Sequence, residues 1–248
     1  MEKVILITGG SQGIGASTAI LAARKNYSVC INYHNNDSAA NDIVKKIHVE
    51  GGKAFAFKAD ISKEDEVLNL FENIDNKVGK ISALINNAGI IESQKLFVDM
   101  NAARLQNVFG TNVIGSFLCA REAIKRMSTK RGGNGGTIVN LSSIAARLGA
   151  PFEYVDYAAS KGAIDTMTIG LAKEVAEEYI RVNAVRPGLI RTDIHAKAGD
   201  PGRIERLQSL VPIKRAGDPE EVANLILWLI SDEASYVSGA IIDATGGR

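Results

Sequence analysis

The sequence predicts a doubly wound α/β fold, with a parallel sheet covered by helices on both faces. Two observations carry that prediction. Seven short apolar runs, most of them rich in β-branched residues, recur from one end of the chain to the other. The segments of about twenty residues between them space their apolar side chains as helices do. Strands that read as nearly continuous apolar runs, joined by crossover helices, are buried on both sides, which places helices above and below one sheet.

In chain order, "KVILIT" (3–8) reads as the first strand; the turn "TGGSQGIG" (8–15) then leads into a helix beginning "GASTAILAAR". "SVCINY" (28–33) and "KAFAFK" (53–58) are the second and third strands, and "EDEVLNLFENIDNKVG" (64–79) is an amphipathic helix. "SALIN" (82–86) and "GTIVNLS" (136–142) are the fourth and fifth. Before the fifth lies "RGGNGG" (131–136), following a helix expected to end in Lys125, Arg126, Lys130 and Arg131, cations that suit a solvated helix C-terminus. "IRVNAV" (180–185) is the sixth strand and "AIID" (240–243) the seventh. Asp218-Pro219-Glu220-Glu221 supplies an N-cap candidate, an N1 proline and acidic residues to a late helix. The stretch from Leu189 to about Asp218 is long for a connection and carries Gly199, Pro201 and Gly202, as active-site lids do.

Composition narrows the function. The chain has 248 residues, 46% hydrophobic and 23% charged, with no composition break, so one domain spanning 1–248 is expected. A formal charge of +1 and no basic run interleaved with aromatics give nucleic acid nothing to bind. The apolar run Val4 to Ile7 is too short for a signal peptide or membrane span, which argues for a cytoplasmic protein. Cys30 and Cys119 lie in apolar segments without CxxC spacing and read as packed thiols of a reducing compartment. His34, His48 and His195 have no metal-ligand spacing, so no metal site is expected.

Gly9, Gly13 and Gly15 allow a tight turn and let a phosphate approach backbone amides at a helix N-terminus, where the dipole favours an anion. Their place in the first βαβ unit makes the turn a pyrophosphate cradle. The spacing is G-x3-G-x-G and the GKS/GKT of a P-loop is missing, which disfavours nucleoside triphosphate chemistry. A rival motif shares these residues: Gly9-Gly10-Ser11-Gln12-Gly13 fits the G-x-S-x-G elbow of serine hydrolases. Ser11 would be its nucleophile and His195 its only plausibly placed histidine.

With "TGGSQGIG", Asp60 after the third strand, "NNAG" (86–89), Asn112, "LSS" (141–143), "YAASK" (157–161) and "RPG" (186–188) in this order, the whole chain resembles the short-chain dehydrogenase/reductase family. The "DATGGR" ending is similar to a member's tail. The resemblance implies a Rossmann-type sheet of about seven strands and an NAD(P)-dependent oxidoreductase acting on a small carbonyl or alcohol. It carries over Tyr157 as general acid and base, Lys161 as the residue that tunes it and holds the nicotinamide ribose, Ser143 rather than Ser142 as the substrate-holding serine, and Asn112 as holder of a relay water. Tyr157 and Lys161 are i and i+4 on one helix face, and a nearby cation lowers a phenol's pKa, so Lys161 is expected to bring Tyr157 toward neutrality. Ala158 and Ala159 keep that helix slim; Asp156 and Ser160 have no assigned part.

The resemblance further implies cofactor contacts at Gly9, Ser11, Gln12, Gly13, Ile14 and Gly15 around the phosphates, and at Asp60 and Ile61 beside adenine. Asn87, Ala88 and Gly89 would pass the adenine ribose; Pro187, Gly188, Ile190 and Thr192 would enclose the nicotinamide, while Asn86 ties strands together. NAD-binding chains place a carboxylate at the end of the second strand. Tyr33, His34, Asn35 and Asn36 stand there instead, with no acid before Asp37, so NADP(H) is favoured over NAD(H). Lys197, Arg203, Arg206, Lys214 and Arg215 in the lid are either solvated or attract an anionic substrate such as an acyl thioester carrier. Sugars, small ketones and 3-oxoacyl thioesters stay open as substrates. A homotetramer or homodimer is expected through the long helices carrying Asn112 and Tyr157. A dinucleotide-sensing protein without chemistry is the remaining alternative; an intact Ser143, Tyr157 and Lys161 set argues against it.

Overall fold

The computed structural model describes residues 3–248, apart from the side chains of His195 and Lys197. Seven strands, β1 (Lys3–Ile7), β2 (Tyr27–Tyr33), β3 (Lys53–Lys58), β4 (Ala83–Asn86), β5 (Gly136–Leu141), β6 (Ile180–Pro187) and β7 (Ile241–Ala244), form one sheet in the order β3-β2-β1-β4-β5-β6-β7. Every pairing is parallel. The strand order reverses between β1 and β4, so the loops leaving their carboxyl ends diverge and open a crevice, where ligands of such sheets bind.

The helices, in order, are α1 (Gly13–Arg24), α2 (Asp37–Val49), α3 (Glu64–Lys77), α4 (Ala102–Phe109), α5 (Ser116–Met127), α6 (Ala145–Leu148), α7 (Val155–Glu174), α8 (Ile194–Lys197), α9 (Arg203–Leu207) and α10 (Pro219–Ile230). Strand side chains alternate faces and so divide the core in two. Ile5, Ile7, Val29, Ile31 and Ile85 point to one side, against Ala19 and Ala22 of α1, Ile47 of α2 and Val222 and Ile226 of α10. Val4, Leu6, Cys30 and Leu84 point to the other, against Val67, Phe71 and Ile74 of α3 and Cys119 and Ala123 of α5. Each such aliphatic side chain contributes about 1.5–3 kcal/mol on burial. At the start of α10, Asp218 N donates to Glu221 Oε2 at 2.8 Å, the return half of a capping box.

Two local expectations change. The helix before "RGGNGG" ends at Met127, with Lys130 and Arg131 in a separate 3-10 turn, Thr129–Arg131. Its end is not simply solvated: Lys125 Nζ (2.8 Å) and Arg126 Nη1 (3.0 Å) hold the buried Glu122, and the Arg126 guanidinium lies 4.9 Å from the Phe71 ring centroid. Asn112 lies not in a regular helix but in a π-turn, Gly110–Gly115, between α4 and α5. Among the described residues, no helix is long and apolar enough to cross a membrane.

Candidate active site

The loops at the crevice enclose a cavity of ≈ 690 Å³. All the site residues proposed from the sequence line it except Gly15 and Asn112. Those two stand directly behind its wall, for physical reasons.

At one end the glycine turn packs against the loop after β4. Gly9, at φ +61°, would bring an added Cβ to 2.9 Å from Ala88 Cα, so only glycine fits. A Cβ on Gly15 would meet Asn87 Nδ2 at 2.5 Å, where the amide donates to Thr8 O (2.8 Å) and Gly9 O (3.0 Å). Thr8 Oγ1 in turn accepts from the backbone N–H of Asn87 and of Ala88, both at 3.0 Å. This lattice holds the start of α1 open to the cavity, and no acidic residue in its first turn competes with an anion.

Beyond β2, Tyr33 donates its hydroxyl to Asp37 Oδ1, which raises the phenol's pKa. Asn36 caps α2 by accepting from Ala39 N at 3.1 Å, so its oxygen serves the fold. His34 is exposed, with Nε2 3.9 Å from Asp60 Oδ2. Burial would raise the Asp60 carboxyl, but Ser62 N (3.0 Å) and Oγ (2.7 Å) donate to it and hold it below its usual value, helped by His34 and Lys63.

At the other end stand Ser143, Tyr157 and Lys161. Ser143 follows β5, and its Oγ accepts from Ala145 N at 3.1 Å. Ser142, its neighbour, also borders the cavity but is buried and donates to Lys161 O at 3.2 Å, so its hydroxyl hydrogen is spent on the framework. Lys161 is buried, donates from Nζ to Leu141 O at 2.6 Å and lies 5.7 Å from the Tyr157 ring centroid. Burial pulls its pKa down to about 8, against the opposing pull of Asp165. The Tyr157 phenol is pushed up, not down as the i, i+4 spacing led us to expect: burial raises it, and a hydrogen bond with Ser143 offsets only part. Desolvation of the phenol outweighs the hydrogen bond that favours its ionised form.

Asn112 secures the wall. Its Oδ1 accepts from Ile90 N (2.8 Å), and its Nδ2 donates to Ile90 O (3.0 Å) and Ser160 Oγ (3.0 Å). Asn86 does tie strands, donating to Asn140 Oδ1 at 2.9 Å. Asp156, unassigned from the sequence, is bound by Arg104 Nε at 2.6 Å, and Arg104 Nη1 also donates to Ser93 O at 2.7 Å. Thr8, Ser160 and Asp156 were missed as supporting residues. Each is a polar residue within or next to an apolar element, the one sign that could have found them.

The 189–218 segment carries α8 and α9 and its own small core of Leu189, Val211 and Ala216. Its cations are largely paired: Arg203 with Glu153, Arg206 with Asp200, and Arg215 with Glu221 at 2.7 Å, while Lys214 donates to Ser209 O. The charges of Arg203, Arg206 and Arg215 are thus partly compensated by neighbouring carboxylates. Lys197 lies outside the described side chains, as does His195 of the hydrolase reading.

The family model described as enoyl-(acyl carrier protein) reductase matches residues 9–248. The chain is 54% identical to the uncharacterized oxidoreductase YgfF of Escherichia coli, over 99% of both. A crystal structure of a short-chain type dehydrogenase/reductase from Mycobacterium marinum superposes with a TM-score of 0.92 at 33% identity, covering 99% of this chain and 94% of that one. A 3-ketoacyl-(acyl-carrier-protein) reductase from Brucella melitensis, complexed with NADH, does so at 0.91 and 30%, covering 99% and 98%. These likenesses leave no place for a hydrolase built on Ser11. The family model, the relatives and the solved structures lead to one assignment: the chain belongs to the short-chain dehydrogenase/reductase family and is an NAD(P)-dependent oxidoreductase.

Proposed function

We propose that the chain catalyses reversible hydride transfer between NADP(H) and a small carbonyl or alcohol substrate, with Tyr157 as general acid and base. The observation that carries this reading is the convergence of Ser143, Tyr157 and Lys161 on the same cavity as the glycine cradle. A bound nicotinamide supplies the hydride in reduction and accepts it in oxidation. Ser143 Oγ and the Tyr157 hydroxyl hold the substrate oxygen between them; Tyr157 gives its proton to the alkoxide that forms, or takes the hydroxyl proton in the reverse direction. Its raised pKa keeps the phenol protonated at neutral pH, the form that reduction needs. Lys161 Nζ, buried beside the phenol, orients the nicotinamide ribose. Asn112 holds the relay water through a remaining oxygen lone pair, since both its amide hydrogens are engaged and Oδ1 and the main-chain oxygen already accept from Ile90 N and Ser116 Oγ.

The NADP(H) preference is supported by the lack of a carboxylate at positions 33–36 and by the engagement of Asp37 with Tyr33. Pro187, Gly188, Ile190 and Thr192 form the nicotinamide end, and Asp60 and Ile61 the adenine end. We place the protein in the cytoplasm, with its two free, buried thiols, and as a homotetramer or homodimer through α5 and α7, where Phe117 and Ile169 are exposed. The substrate is a small carbonyl or alcohol compound, with a 3-oxoacyl thioester, a sugar and a simple ketone as the alternatives.

Tyr157→Phe tests the assignment. NADPH binding, read by its fluorescence, should persist, while kcat falls by about 10²- to 10⁴-fold. Unchanged turnover would show that the proton comes from another group.

A further inference from the structure

A chain of four charged side chains ties the helix that carries Tyr157 and Lys161 to strands β6 and β7. Asp165 of α7 accepts both of its hydrogen bonds from Arg186 of β6 on one oxygen, Oδ2, at 3.0 Å from Nε and 2.7 Å from Nη2. Arg186 Nη1 also donates to Asp243 Oδ1 of β7 at 3.4 Å, and Asp243 Oδ2 accepts from Arg147 Nη1 of α6 at 2.6 Å. A brace between α7 and β6 accounts for Oδ2 alone. Asp165 Oδ1 is buried and accepts no hydrogen bond, which is uncommon for a carboxylate in a native interior. One turn earlier on the same helix face stands Lys161, also buried, with Nζ bonded to the neutral Leu141 O. The two side chains are thus within range of charge attraction without forming an ion-pair contact, and Asp165 opposes the pull of burial on Lys161. Among the described residues, no other element packed against α7 brings an uncompensated charge to that point. β5 and the π-turn have no titratable side chain. Arg104 of α4 is spent on Asp156 and Arg147 of α6 on Asp243, while Arg181, at the opposite end of β6, donates to Val237 O, Leu229 O and Ser231 O. Glu177 and Glu178 lie beyond the far end of α7.

We propose that Asp165 is a positioning residue for the reaction, holding Lys161 as an ammonium for the cofactor, and that Arg186 sets the strength of that hold. This rests on the reading above, in which Lys161 orients the nicotinamide ribose. An ammonium cut off from water is sustained by an opposite charge nearby. Asp165 is that charge; Arg186 partly cancels it, and Asp243 partly cancels Arg186 in turn. Signs alternate along the chain, so removal of successive members should push Lys161 in opposite directions. A brace has no such alternation, because every break in it loosens the same joint.

Fluorescence titration of the full chain with NADPH, between about pH 6 and 10, tests this across the range where Lys161 titrates. In the wild type the Kd should be flat below about pH 8 and weaken above it. Asp165→Asn should move that break down by about one pH unit, which weakens binding about fivefold at pH 8 and leaves the Kd near pH 6 within about twofold of wild type. Arg186→Met should move the break up. Asp165→Asn keeps the shape of the side chain and an acceptor for Arg186; should it not fold, Asp243→Asn, which uncovers the Arg186 charge, should also move the break down. An unmoved break, a shift in the same direction for Asp165→Asn and Arg186→Met, or a loss in Asp165→Asn that persists near pH 6 would reduce the network to a brace and overturn the proposal. A wild-type Kd that stays flat to about pH 10 would instead remove Lys161 from the ribose site, and the reading beneath the proposal would fail with it.

Discussion

Lys161 carries an ammonium into the protein interior, and its pKa near 8 measures the cost. The unfolded side chain titrates at about 10.4, so below about pH 8 the buried charge disfavours folding by about 3 kcal/mol. Between about pH 8 and 10.4 the unfolded chain binds the additional proton, and stability rises with pH across that window. Lys161→Met removes this penalty but also the hydrogen bond to Leu141 O, worth about 1 kcal/mol. The variant should therefore be about 1–2 kcal/mol more stable than wild type in urea at pH 7, with the difference shrinking toward pH 10, while losing turnover. If the charged form binds the cofactor, the Kd for NADPH should be flat below about pH 8 and weaken up to tenfold per pH unit above it, by fluorescence titration. A flat profile to pH 10 would remove Lys161 from the ribose site.

At the scale of elements, α4 and α7 are held together by one buried ion pair. The Arg104 and Asp156 side chains are 9% and 1% exposed, which leaves water little means of compensating either charge. Arg104→Met strands the Asp156 carboxylate and should cost about 3–5 kcal/mol in urea unfolding, and adding Asp156→Asn should restore most of it. A single-variant cost below about 1 kcal/mol would mean that the pair is solvated. The strands were legible because β-branched runs such as "KVILIT" mark buried sheet directly, and that one contains β1, whose last four residues are buried. The π-turn was not legible. It follows from contacts distant in sequence: Asn112 bonds Ile90, and a Cβ on Gly115 would lie 2.8 Å from Ile61 Cδ1. Helices α8 and α9 are short, and packing of Ile204 and Leu207 on Leu189 and Val211 stabilises that segment more than any local pattern does.

For the whole molecule, the cavity joins loops from both halves of the sheet, so a bound dinucleotide links them and stabilises the folded state by mass action. At a concentration of 100 Kd the gain is about 2.7 kcal/mol, readable as a rise in Tm. At equal concentrations NADPH should raise Tm more than NADH; a larger shift with NADH would reverse the cofactor preference. The sequence by itself determined the parallel sheet and the glycine turn, because strand periodicity and turn chemistry are local properties, and its resemblance to the family is what singled out Ser143, Tyr157 and Lys161 as candidates. Only the tertiary structure decided that the phenol's pKa is raised, that the arginines of the 189–218 segment are paired, and that Asp156 and Asn112 brace the site. Burial and long-range hydrogen bonds set those features, and neither exists until the chain has folded.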